Sequence, residues 1–466
     1  MKPATFPAKA LPGTLAFAFV STRAEAHASE QGFVLLLPTD LYVAAGVAVV
    51  TLTLAVAAFL PARRVLALYQ PWLGRPRRRD LGMRRVSSCL AFLALCALVW
   101  AGMAGPHDPL KNLLPLSVWT VFWTFLVVVQ AITGSLWTWI EPWSGPLAVA
   151  RRFGLRPVAR LPVRLAHAPA LLGLVGFAWL LLIAIAPTDP DHLARLVTGY
   201  WLLHFAGGLI FGPRWIARAE TFGVLMRAYG RIAPRARWGA RAGLGLCGWR
   251  EMRAAPPPFS LALFMVAMLA IGSFDGLNET FFWLGAIGVN PLDFPGRSAI
   301  VLPTAIGLAA ALVALPLAFA VSLWLGLRLA GRTGSGRAFR VFAPSLLPIA
   351  LGYHIGHYLP SFLVDAQYVL IAFSDPFNLG HDLFGMADHY VTTGFFNTRA
   401  TVRAIWLSQA GAVVGGHVLA VLLAHALALR EYRQPGVATR VGLPLAAMMV
   451  AYTLFGLWLL ASPRGL

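Results

Sequence analysis

The sequence predicts an all-α, polytopic integral membrane helix bundle, and three observations carry that reading. Hydrophobic residues make up 58% of the 466-residue chain and charged residues only 12%, about half the ~25% charged share of soluble domains. Mean hydropathy is +0.70. Apolar runs of about 20 residues recur along the chain, each long enough to cross a hydrocarbon core as a helix.

The elements follow in order. Lys2 and Lys9 form a basic start, LPGTLAFAFVS (11–21) a short apolar region, and Ala24-Glu25-Ala26 an A-x-A site. Residues 1–26 therefore read as a secretory signal peptide, cleaved before His27, and 27–466 as a single transmembrane domain; an uncleaved first anchor is the alternative. Ten spans follow, near 41–60, 88–104, 114–134, 168–187, 194–212, 259–274, 301–326, 342–364, 404–427 and 441–461.

The basic residues test that count. With the mature N-terminus outside, the loops at 61–86, 135–167, 213–257, 327–340 and 428–440 are cytoplasmic and hold 8, 5, 9, 4 and 3 Arg. The external segments hold only Lys111, Arg195, Arg297, Arg399, Arg403 and Arg464. This is the asymmetry of the positive-inside rule. It explains the net charge of +20 as a topology signal, with anionic lipids at the cytoplasmic face as partner and no nucleic acid. Residues 137–154 and 215–234 mix aromatic, Arg and apolar residues at helical spacing and read as interfacial helices. There is no Walker or dinucleotide motif, and no loop exceeds about 45 residues, which leaves no room for an appended soluble domain. Cys89, Cys96 and Cys247 have no metal-ligand spacing.

Polar residues inside spans mark the candidate site, because they are expensive in hydrocarbon. At a rise of ~1.5 Å per residue, His204 lies ~15 Å from the outside, His354 and His357 ~18–23 Å from the cytoplasm, and His417 ~20 Å from the outside. All four fall in a middle slab of a ~30 Å core. His354 and His357, at i and i+3, share a helix face with Tyr358, and Pro360 is a kink position. These four histidines are the candidate metal ligands; helix-to-helix hydrogen bonds with Tyr353 and Tyr358, or paired haem ligands, are the other readings.

A second polar set faces outward. Asp275, Asn278 and Glu279 end a span in which Gly272 and Gly276 predict an irregular helix end, and the loop 373–390 carries Asp375, His381, Asp382, Asp388 and His389. Asp275 and Asp375 are the candidate catalytic residues, as metal ligand or base. Asp375-Pro376 also fits plain turn chemistry. A mature His27 would add an amine–imidazole chelate suited to copper.

Taken together, several segments give the chain a family likeness. They are AHA after the signal, EPW at 141–143 with Arg151 and Arg152 following, FGVLMRAYGRIAP (222–234), SFDG (273–276), LPIALGYHIGHY (347–358), SDPFNLGHDLFG (374–385) and GHVLAVLLAHALAL (416–429). In these motifs and their order the chain resembles the fenitrothion hydrolase-like polytopic membrane proteins of bacteria. The resemblance implies a bacterial inner-membrane protein, with both mature termini periplasmic on the ten-span count. It also implies hydrolysis of an organophosphorothioate triester. Asp275, His357, Asp375, His417 and His425 lie inside the matching segments, and no catalytic role comes with them.

Two readings of function stand side by side. In the first, a divalent metal held by His and Asp activates water against a small lipophilic substrate. In the second, the same residues form the path of a transporter or a metal-ion, copper-like, handling protein. A structural role, with a partner subunit, is a third. The sequence leaves the enzyme question and the cofactor open.

Overall fold

A computed structural model describes residue 34 and residues 37–76, 80–293, 296–386 and 388–464. The signal peptide and the His27 chelate lie outside the described residues. Within them the chain is a helix bundle: α1 (Thr39–Phe59), α2 (Leu81–Ala104), α3 (Leu113–Thr133), α4 (Ala168–Leu182), α5 (Pro190–Phe211), α6 (Thr221–Ile232), α7 (Phe259–Asn278), α8 (Val301–Leu329), α9 (Leu347–Ser374), α10 (Arg399–Tyr432) and α11 (Pro435–Ala461). Nine candidate membrane spans occur among the described residues; α4 and α6 fall outside that set.

Local sequence starts these helices where polar caps stand. Asp80 accepts from Met83 N ahead of α2, Asp189 from His192 N ahead of α5 with Pro190 in the first turn, and Thr398 from Thr401 N ahead of α10. Burial then sorts the helices. Their apolar windows are 72% buried in α7 and 17% in α1 and α2, so α7 lies at the centre with α9 and α10, and α1 and α2 form the rim. Small residues bring α9 and α10 together. A Cβ on Gly352 would lie 2.3 Å from the Ala412 carbonyl oxygen, and one on Gly416 2.5 Å from that of Pro348, the close backbone approach that glycine permits between spans.

The chain also builds a small antiparallel sheet that no local sequence pattern announces: β1 (Trp72–Pro76), β2 (Arg235–Trp238) and β3 (Arg241–Leu244), in the order β1-β3-β2. Trp72 pairs with Leu244, and Arg235 with Leu244 on the other edge. The turn between β2 and β3 uses Gly239 at φ +58.

This sheet bears on whether α4 is a further crossing. Strands of one sheet lie on one side of a membrane, so an even number of crossings separates β1 from β2. Helices α2, α3 and α5 give an odd number; α4 makes it even. At 15 residues α4 is short, ~22 Å of helix, but its ends reach both faces. The His167 amide donates to Ser260 Oγ at the start of α7 (3.1 Å), and Arg297, in the segment after α7, donates to the carbonyls of Leu181 (2.8 Å) and Ala184 (3.3 Å).

Two expectations change in detail. Helix α6 does not lie on a lipid surface: nine of its twelve residues are buried, and it packs against α3, α4 and α9. Its register fits an interior groove because Gly223 and Gly230 face neighbours closely; a Cβ on Gly230 would lie 2.8 Å from the Gly134 carbonyl oxygen. Helix α7 runs unbroken through Gly272 and Gly276 to Asn278. In α3, Ser117–Leu126 is a π-helix, a widened turn that is often found at functional sites.

Candidate functional site

The site forms where the last turns of α7 meet the middle of α9, on the face opposite the sheet. Asp275 and Glu279 are four residues apart and share a helix face. Asn278 ends the helix beside them, its amide donating to the carbonyls of Phe274 (3.1 Å) and Asp275 (2.6 Å). From α9, His357 Nε2 lies 3.2 Å from Asp275 Oδ2, and Tyr358 donates its hydroxyl to the same oxygen at 2.6 Å. Asp275 and His357 are both buried.

The backbone of α9 is held for this purpose. Pro360 stands inside the helix and has no N–H for the carbonyl of Gly356, four residues earlier. Gln409 on α10, itself buried, donates to that carbonyl at 2.7 Å, as an orphaned backbone group in hydrocarbon requires. The proline is thus accommodated one turn from His357.

Around the pair lie polar atoms without partners. His357 Nδ1, His354 Nε2 and the Tyr353 hydroxyl are buried and make no hydrogen bond among the described residues. Tyr353 stacks on His357 with centroids 5.9 Å apart and rings 11° from parallel. Its hydroxyl sits where a Gly276 Cβ would be, 1.6 Å away. His354 meets the Trp123 ring of the π-helix edge-on at 5.1 Å. These groups and Asp275 border a cavity of about 30 Å³, completed by apolar residues such as Phe177 and Met268. That is space for about two waters.

Glu279 completes a set of ligand atoms. One atom each from Asp275, Glu279 and His357 lie within 4.8 Å of one another. Two donors bound tetrahedrally at ~2.0–2.1 Å to one ion sit roughly 3.3 Å apart, so the 3.2 Å between His357 Nε2 and Asp275 Oδ2 suits a shared ion. Arg464 stands 3.5 Å from Glu279 Oε2 on the outer side.

The other sequence-predicted residues lie elsewhere. His204 is buried, but its Nδ1 accepts from Trp215 Nε1 at 3.1 Å and its ring packs on Tyr200. Its depth alone predicts a common site; laterally, α5 packs on α2 and the start of α3, not on α9. His417 is buried in α10 with Nδ1 beside the Val413 carbonyl (2.9 Å) and Nε2 unpartnered. It faces Tyr452, whose hydroxyl bonds Ser273, and does not line the cavity of His354 and His357. Asp375 ends α9, where its carboxylate accepts from the amides of Leu379 (2.9 Å) and Gly380 (2.7 Å). Eighteen residues of helix, ~27 Å, separate it from His357. It organises a turn and cannot share an ion with Asp275.

A second buried polar group lies on the sheet side. Glu220 caps α6, accepting from the amides of Phe222 (2.9 Å) and Gly223 (2.6 Å) and from the Tyr200 hydroxyl (2.5 Å). Burial pushes its carboxyl up to about 7, against the opposing pull of the Tyr200 hydroxyl, the Arg227 charge and the two amides. Glu141, in EPW, accepts from the amides of Trp143 and Ser144, and burial raises its carboxyl too. Trp143 and Trp201 exchange indole bonds with the carbonyls of Trp201 and Pro142. These motifs are accounted for by structure alone.

In the sequence Glu279 belongs to an outer polar set, and its i, i+4 spacing from Asp275 is the signal that ties it to the site. Arg464 carried no local signal, because it arrives from the far end of the chain. No protein-family model matches the chain, and comparisons with curated proteins and with solved structures give no match.

Proposed function

We propose that this is a divalent-cation-handling membrane protein, in which Asp275, Glu279 and His357 hold the ion as cargo on its way into or out of the bundle. The observation that carries the reading is the approach of three ligand atoms within 4.8 Å around a buried carboxylate–imidazole pair. Two carboxylates and one imidazole favour Mn²⁺, Zn²⁺ or Fe²⁺ over Cu⁺, which prefers sulfur donors. A water-sized cavity suits an ion exchanging its hydration shell and is far below the ~300 Å³ of small-molecule pockets. The Arg-rich sheet side is assigned to the cytoplasm of a bacterial inner membrane, and the site then opens toward the periplasm.

The second reading is the hydrolase implied by the family resemblance. What favours it is the wall of Phe177, Met268 and Trp123 beside Asp275, apolar enough for an aryl phosphorothioate. His357 and Glu279 would then hold a metal that activates water, with Asp275 as ligand or base; the cavity would have to open before such a triester could enter.

One experiment separates them. Purified protein is analysed for bound metal, and cells expressing wild type or Asp275→Asn are assayed for accumulation of Mn²⁺ and Zn²⁺ and for release of nitrophenol from an aryl phosphorothioate. Asp275-dependent metal flux without nitrophenol release supports the first reading. Asp275-dependent release supports the second. A wild type that binds no metal and does neither refutes both.

A further inference from the structure

We infer that Arg464 is a tethered counter-cation for the Asp275–Glu279–His357 site and competes with the metal ion for it. The inference rests on the cation reading above. Helix α11 ends at Ala461, and Ser462 is extended at φ −75, ψ 138. Pro463 cannot continue the helix hydrogen bonding; its carbonyl instead accepts from Phe281 N at 2.9 Å. Arg464 and Thr280 form an antiparallel bridge. The segment after the last helix is thereby laid across the end of α7, with Arg464 next to Glu279.

The side chains extend this placement. Arg464 Nη1 is 3.5 Å from Glu279 Oε2, with side-chain exposures of 19% and 29%, against 7% for both Asp275 and His357. The Glu279–Arg464 pair thus stands at the mouth, and the Asp275–His357 pair behind it. Two carboxylates this close in a poorly hydrated place repel each other unless a positive charge is present. A guanidinium carried on the same chain supplies that charge when no ion is bound. Tethering keeps its local concentration high and constant. A divalent ion bound to all three ligands competes with Arg464 for the Glu279 carboxylate and places a second positive charge beside the guanidinium, so the arginine weakens cation binding and keeps the unloaded site intact. A monovalent ion, with no greater charge than the guanidinium, gains little by that exchange.

The test uses full-length protein in detergent, titrated with Mn²⁺ and with Zn²⁺ and followed by calorimetry and by the spectroscopic signal of bound Mn²⁺. Wild type, Arg464→Gln, Arg464→Lys and Glu279→Gln are compared. Arg464→Gln should bind both ions more tightly, by roughly threefold to tenfold, while Arg464→Lys, which keeps the charge, stays near wild type. Glu279→Gln should bind more weakly than wild type. Equal affinity in wild type and Arg464→Gln overturns the inference and leaves the cation site standing, as does weaker binding by Arg464→Gln with Arg464→Lys unchanged. No binding by wild type or Arg464→Gln overturns the cation reading itself. Size-exclusion profiles and Arg464→Lys identify a loss of affinity that comes from misfolding.

Discussion

Replacing Asp275 by Asn and by Ala separates what the carboxylate does for the fold from what it does for an ion. The Asp275 oxygen that meets both partners lies 2.6 Å from the Tyr358 hydroxyl and 3.2 Å from His357 Nε2. In Asp275→Asn an amide oxygen can take that position and accept from Tyr358 and from the Nε2–H of a neutral imidazole. Both hydrogen bonds survive and a buried charge is removed, so stability changes by about 1 kcal/mol or less. In Asp275→Ala both donors lose their acceptor where water is scarce. At ~1–3 kcal/mol for each buried orphan the loss is ~2–6 kcal/mol. Thermal unfolding followed by fluorescence-detected size exclusion should therefore rank wild type and Asn together, with Ala several degrees lower. Metal affinity should rank differently, with both variants at least ~10–100-fold weaker than wild type, since even outer-shell losses cost that much. An Ala variant as stable as the Asn variant would refute the buried-pair argument. An Asn variant that binds Mn²⁺ or Zn²⁺ as tightly as wild type would remove Asp275 from the ligand set.

Three further outcomes are expected. Gly276→Ala places a methyl 1.6 Å from the Tyr353 hydroxyl oxygen but 2.9 Å from the ring carbon behind it; it should destabilise by about 1–3 kcal/mol as an overpacked site, and Tyr353→Phe in the same chain should recover part of the loss in a double-mutant cycle. Glu220, raised from 4.5 to about 7 in the folded protein, binds more protons folded than unfolded between those values. Its contribution is therefore full below pH ~4.5 and lost as pH rises through ~7, roughly 3 kcal/mol at ~1.4 kcal/mol per unit; thermal unfolding across pH 5–8 should show the decline in wild type and a flatter profile in Glu220→Gln. Cysteines at Arg160 and Asp191 in an otherwise cysteine-free chain should be labelled by an impermeant maleimide from opposite sides of the membrane, and same-side labelling would show that α4 does not cross.

Much of the fold was legible because hydrocarbon imposes one rule on every span. A segment that cannot hydrogen-bond to solvent must satisfy its own backbone, and about 20 apolar residues in a helix do so. All ten expected spans accordingly coincide with helices, including the short α4. What was not legible depended on tertiary pairing. The strand Trp72–Pro76 lies far in sequence from Arg241–Leu244 and has no alternating pattern long enough to mark it. Helix α6 has the amphipathic pattern of a surface helix, and only its neighbours reveal that the bundle, not lipid, covers its apolar face.

The candidate site shows the same division more sharply. Depth along a helix can be counted from sequence; the direction in which a helix faces cannot. His204, His354, His357 and His417 share a depth, yet only His354 and His357 reach the same cavity, because α5 is at the rim and His417 turns toward α11. The pairing of Asp275 with His357 depends on two local features that each look unfavourable alone. Pro360 leaves the Gly356 carbonyl without its helical donor, and Gly276 leaves a gap in α7. Gln409 satisfies the first and the Tyr353 hydroxyl fills the second. Each compensation comes from another helix or another turn, so neither residue signals its purpose in its own segment. The physical consequence is that α7, α9 and α10 register against one another through the site itself. A change at Gln409 should therefore disturb Asp275 and His357, although Gln409 touches neither.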